Sequence, residues 1–145
     1  MAGKAKKVAL SLLVLIIIAG IVGYSLWNKP HTDVSGADAI KTDALSLYQS
    51  FTTDSANAKK KFLQQVVEVS GTVSSVNTNQ QSQQIVLVKT ATDGASINCT
   101  MEKAIDKIQP GSAIAIKGIC EGLGQGDADL GIPGDLYLVR CYPVK

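Results

Sequence analysis

The sequence predicts a mainly β domain: a five-stranded barrel with a short helix between its third and fourth strands. A helical lead-in and an N-terminal membrane-spanning helix precede it. Three observations carry this. Twenty residues from Val8 to Trp27 contain no charge, the apolar spacing changes from helical to alternating at Val66, and the elements that follow run strand, strand, strand, short helix, strand, strand. With 145 residues the chain has room for one compact domain, which excludes a large multidomain enzyme. At 46% hydrophobic and 18% charged residues it is also not too polar to bury a core.

The apolar run VALSLLVLIIIAGIVGYSLW, at ~1.5 Å rise per residue, spans the ~30 Å hydrocarbon layer of a bilayer. Lys4, Lys6 and Lys7 precede it and only Lys29 follows closely. The positive-inside rule therefore keeps residues 1–7 in the cytoplasm as a basic tail, makes 8–27 a single-pass anchor in the cytoplasmic (inner) membrane, and places the C-terminal domain outside the cytoplasm. Tyr24 and Trp27 fall where an interfacial aromatic belt lies. The competing reading is a cleaved signal peptide, but no small-x-small cleavage site follows the apolar core. No cysteine follows it either, so lipid attachment at a lipobox is excluded.

Residues 28–36 (NKPHTDVSG) read as a polar linker. Over 37–63 the sequence predicts a helical lead-in. Ile40, Ala44, Leu47, Tyr48 and Phe51 mark one face of a helix starting near Ala37, with Ser35 and Asp38 resembling a capping box. A shorter helix from about Ser55 to Leu63 carries Lys59, Lys60 and Lys61.

The barrel domain is read over 64–145. Val67, Val69, Gly71 and Val73 alternate with polar residues, and the slip at Ser74-Ser75 suggests a bulge. Residues 77–84 form a polar turn, and 85–88 make a second strand. Ala95, Ile97, Cys99 and Met101 alternate along a third. Glu102 to Ile108 reads as a brief helix ended by Pro110-Gly111. Ile114, Ile116, Gly118 and Cys120 line a fourth strand, and Leu136 to Tyr142 a fifth. This is the element order of an OB-fold. Gly71 and Gly118 are expected where strands bend or backbones approach closely.

Four stretches carry a resemblance: AKKKFLQQVVEVSGTVSSV, INCTM, PGSAIAIKGICEG and DLYLVRC. With Val69-Ser70-Gly71, Lys117-Gly118-Ile119-Cys120 and the closing Cys141, the chain resembles the tRNA_anti-like family from about Ala37 to Cys141. These are exported bacterial OB-fold proteins described as nucleic-acid-binding lipoproteins. The resemblance implies the barrel and a nucleic-acid-binding role. The chain departs from the pattern in lacking a lipobox cysteine and in its long loop before the last strand.

Three cysteines in an exported domain leave one unpaired if a disulfide forms. A hairpin of the last two strands centred on 130.5 would set Cys120 opposite Cys141, the expected bridge, with Cys99 as the competitor for Cys141. The sole histidine, His31, is in the linker, and neither CxxC nor a phosphate-cradling glycine motif is present. No catalysis and no cofactor are expected.

Single-strand binding by an OB surface needs cations along the groove and aromatics for stacking. From Asn28 onward eleven basic residues face twelve acidic ones, and Val66 to Met101 holds no aromatic and one cation, Lys89. Charge thus disfavours nucleic acid. Lys59, Lys60 and Lys61 are the candidate anion contact, although a solvated helix face is the better account of them. In the loop from Gly122 to Gly134, Gln125, Asp127 and Asp129, with Asp135 just beyond, are the candidate partner-contacting residues. The D-x-D spacing opens a calcium pattern, but Gly131 stands at its fifth position and no glutamate closes it, so no metal is expected. Asn98-Cys99-Thr100 matches a glycosylation sequon inside a strand. The expected function is a membrane-anchored, non-catalytic binding module that engages an envelope protein or polysaccharide. The alternative is single-stranded nucleic-acid binding.

Overall fold

Uncharged, strongly apolar residues with no proline between them favour an uninterrupted helix, and α1 (Ala2–Trp27) is one. The computed structural model describes residues 2–27 and 33–145, which form two units. In the first, Lys7–Ser25 is long and apolar enough to cross a membrane, and its side chains are exposed. The linker residues 28–32, with Lys29, Pro30 and His31, lie outside the described residues, as do the side chains of Lys4, Lys6 and Trp27.

The second unit runs β1 (Ile40–Asp43), α2 (Ala44–Thr53), α3 (Ser55–Phe62), β2 (Val66–Thr78), β3 (Gln84–Lys89), β4 (Ser96–Met101), β5 (Ala113–Leu123) and β6 (Leu136–Pro143). The lead-in differs from expectation at its start: Ile40–Asp43 is a strand, not the first turn of a helix. The helix begins at Ala44 because the Asp43 carboxylate accepts the Ser46 N–H at 2.9 Å, an N-cap that stops the helix from extending backward. Ser35 and Asp38 form no capping box; Asp33 instead accepts from the Ser35 N–H and hydroxyl. The predicted apolar face does hold from there on, with Ala44, Leu47, Tyr48 and Phe51 buried. For α3 the cap is Asp54, whose carboxylate accepts from Asn57.

The sheet order is β1-β2-β3-β4-β6-β5, closed by pairing of β2 with β5. The first half of β2 lies between parallel β1 and antiparallel β5, and its second half pairs with β3. The expected bulge falls between Val73 and Ser75. Alternation sends Val67, Val69, Val73, Val86, Val88, Ile97, Ile116, Leu136 and Leu138 into one core, where the apolar face of α2 joins them. Gly71 is obligatory in this packing, since a Cβ there would stand 2.5 Å from Val88 Cγ1 and 3.0 Å from Ala44 Cβ.

Between β4 and β5 the expected helix over Glu102–Ile108 is absent. The segment is irregular, with Lys107 in the left-handed region at φ 62°. Its backbone is held from outside: the Gln84 side chain accepts the Ile105 N–H at 2.8 Å and donates to the Ile105 carbonyl at 3.2 Å. Seven residues are too few to hold a helix by themselves. Ile105 and Ile108 still pack against the core from this loop.

Candidate ligand-binding face

Because Val86, Val88, Ile97 and Cys99 point inward, their neighbours point out. Register then aligns Ser75 with Leu87, Leu87 with Asn98, and Asn98 with Tyr137, in one row across β2, β3, β4 and β6. Asn77, Ile85 and Thr100 form a second row, and Lys89 pairs with Ser96 at the edge. The face carries hydroxyls, amides, two half-buried aliphatic side chains, one cation and one aromatic ring. Tyr137 is 40% exposed and lies against Gly124, where a Cβ would meet its Cε2 at 2.6 Å. Sequence reasoning missed it, although the expected barrel already set the last strand beside β4, as the pairing shows. The alternation of LYLVRC, which turns Tyr137 outward, was the available signal.

The candidate loop residues are ordered rather than loose. The Asp127 carboxylate accepts the N–H groups of Asp129 and Leu130 at 3.0 and 3.1 Å, and Asp127 and Ile132 exchange both backbone hydrogen bonds. Asp135 is committed elsewhere, accepting the Ser96 N–H at 2.8 Å, and Tyr48 donates its hydroxyl to the Gly134 carbonyl at 2.8 Å. Burial, and then the Asp135 charge, raise the Tyr48 pKa. Gln125, Asp127 and Asp129 are exposed, and so are Leu130 in the turn and Ile132 in the pair that closes it. No group of three or more metal-ligating side chains gathers among the described residues. Lys59, Lys60 and Lys61 occupy the last turn of α3, with the Lys61 ammonium 4.9 Å above the Phe62 ring. Structure brings them to neither Lys89 nor Tyr137 by any described contact.

The expected Cys120–Cys141 bridge is corrected by register. The β5–β6 pairing, which runs from Leu123 opposite Leu136 to Ile116 opposite Pro143 with two irregularities between, sets Cys120 opposite Leu138, and all three cysteines are free and buried. The thiol of Cys141 is held protonated first by Cys99 and then by burial, while burial pushes Cys120 up to about 11. Gly118 leaves the space that Cys141 fills: a Cβ there would stand 2.5 Å from its Sγ.

One solved structure shares this fold. A crystal structure of a candidate nucleic acid-binding lipoprotein from Klebsiella pneumoniae matches at TM-score 0.51 and 21% identity, covering 81% of this chain and all of the other. A candidate aspartyl-tRNA synthetase from Leishmania major matches at TM-score 0.43 and 8% identity, covering 87% of this chain and 25% of that one. No curated protein matches. The tRNA_anti-like family model aligns with residues 1–129, taking in the apolar helix, the lead-in and the barrel as far as the β5–β6 loop, and the chain belongs to that family.

Proposed function

We propose that this protein is a membrane-tethered, non-catalytic binding module. Residues 1–7 stay in the cytoplasm, 8–27 cross the cytoplasmic membrane, 28–36 act as the tether, and the lead-in and barrel over 37–145 present a ligand face outside. The observation that supports it is the row Ser75, Leu87, Asn98 and Tyr137, which offers a stacking ring, an aliphatic floor and side-chain hydrogen-bonding groups in line. OB-fold faces of this kind take oligosaccharides as well as oligonucleotides. With one cation beside it, the row suits an uncharged envelope polysaccharide better than a polyanion. An envelope protein would reach the same face by way of Gln125 and Asp129 on the adjoining loop. Titration of the full chain in nanodiscs with a neutral oligosaccharide tests the reading: binding that falls at least tenfold in Tyr137→Ala supports it, and binding unchanged by that substitution refutes it.

Single-stranded nucleic acid is the second reading. It is favoured by Tyr137 and Lys89 on one face and by the description of the Klebsiella structure. Phosphate contact would make affinity fall steeply with salt. Equal binding of a dT oligomer at low and moderate salt would count against it.

A further inference from the structure

We propose that the barrel end bearing the β5–β6 connection rests on the lipid surface, with Leu130 and Ile132 inserted at the headgroup boundary and Lys59–Lys61 over anionic headgroups. This extends the reading of α1 as a membrane anchor and depends on it.

The tip is built to hold two apolar side chains in water. Asp127 caps the turn, the 127–132 pair closes it, and Gly126 and Gly134 allow backbones to pass where a Cβ would overlap Ile132 O or Gly124 O. On this frame Leu130 is 71% and Ile132 51% exposed. Neither side chain belongs to the buried core or to the partly buried residues packed against it.

Three other features share this barrel end. Ile40 stands opposite Val67, and Val67 opposite Gly118, so the unit's first strand starts where β5 runs out toward the loop. Lys117 Nζ, from the middle of β5, donates to the Ala37 carbonyl at 2.9 Å and so ties the chain before β1 to β5. Just after α3, the Gln64 N–H donates to the Cys120 carbonyl, so the lysine-bearing last turn ends beside β5 at this end too.

A lipid surface fits this set. A basic turn attracts anionic headgroups within a Debye length, and aliphatic side chains partition into the interface. Asp127 and Asp129 flank the tip and oppose anionic lipid, so the contact at Leu130 and Ile132 is apolar while the lysines supply the attraction.

Bromolipid quenching of tryptophan tests the proposal, using the full chain in nanodiscs of phosphatidylcholine and phosphatidylglycerol at three to one. Wild type carries a single tryptophan, Trp27, which reports insertion of the anchor. Trp27→Phe combined with Leu130→Trp, or with Ile132→Trp, reports the tip. Trp27→Phe with Gln81→Trp, in the exposed turn at the opposite end, is the control. At least twofold stronger quenching at 130 or 132 than at 81 is expected. Quenched Trp27 with tip reporters quenched no more than Gln81→Trp overturns the proposal while leaving the anchor intact. An unquenched Trp27 overturns the anchor reading, and the proposal with it.

Discussion

The two long hairpin turns of the barrel use the same device, yet only one of them exposes large aliphatic side chains. Between β2 and β3 the Asn79 side-chain oxygen accepts the N–H groups of Gln81 and Gln83, and the tip is polar. Between β5 and β6 the Asp127 carboxylate accepts those of Asp129 and Leu130, and the turn exposes Leu130 beside Asp129, with Ile132 exposed in the pair that closes it. An Asx turn needs nothing from the side chains at its tip. Since a polar tip serves β2–β3, folding does not account for Leu130 and Ile132. Their surroundings are also costlier to build, needing close backbone passage at Gly126 and Gly134 and the Tyr48 hydroxyl.

That difference can be broken from the largest effect downward. Gly134→Ala places a methyl on the Gly124 carbonyl and is expected to destabilise the domain by ~2–4 kcal/mol in chemical denaturation. The barrel wall supporting the turn depends on pH through its thiols. Cys120 keeps its proton up to about 11, whereas an exposed cysteine loses it near 8.5. Its contribution is complete below the unfolded pKa. Above it the unfolded chain releases the proton while the folded one retains it, so stability falls as pH rises toward 11. Cys120→Ala should flatten this decline in a melting-temperature series from pH 8 to 11. Tyr48→Phe removes the hydroxyl that ties α2 to Gly134, for a loss of ~1 kcal/mol and faster amide exchange confined to 124–135. Smallest of all, Leu130→Ser and Gln81→Ser should each change stability by less than ~0.5 kcal/mol. A marked loss in Leu130→Ser alone would mean that the apolar tip serves folding after all.

Most of the barrel was legible because one face of each strand is buried and the period of two survives in Val67 to Val73 and in Ile97 to Met101. The misreadings have local causes. Ile40 lies four residues before Ala44 and so extends the helical spacing into β1; only the Asp43 cap marks the boundary. Ile105 and Ile108 are spaced as on a helix, yet Gln84, distant in sequence, supplies the hydrogen bonds that a helix would have made internally. Cys120 and Cys141 looked opposite because the hairpin was centred one residue too late: Leu123 pairs with Leu136 and Ile116 with Pro143, a register that already carries Cys120 past Cys141, and the irregularities between Lys117 and Ile119 and between Cys120 and Gly122 move it one residue further. The ligand face was half visible: β3 and β4 supplied its polar and aliphatic groups and the barrel order set the last strand beside β4, but which residue of that strand comes level with Asn98 depends on a register that strand order does not carry.

The most direct test of the binding face is amide chemical-shift mapping of the full chain in nanodiscs, titrated with the tetrasaccharide of β1,4-linked N-acetylglucosamine. Shifts concentrated at Ser75, Leu87, Asn98 and Tyr137, and lost in Tyr137→Ala, are the predicted result. Shifts confined to the turn at 79–83 or to Lys59–Lys61, or no shifts at all, would contradict it.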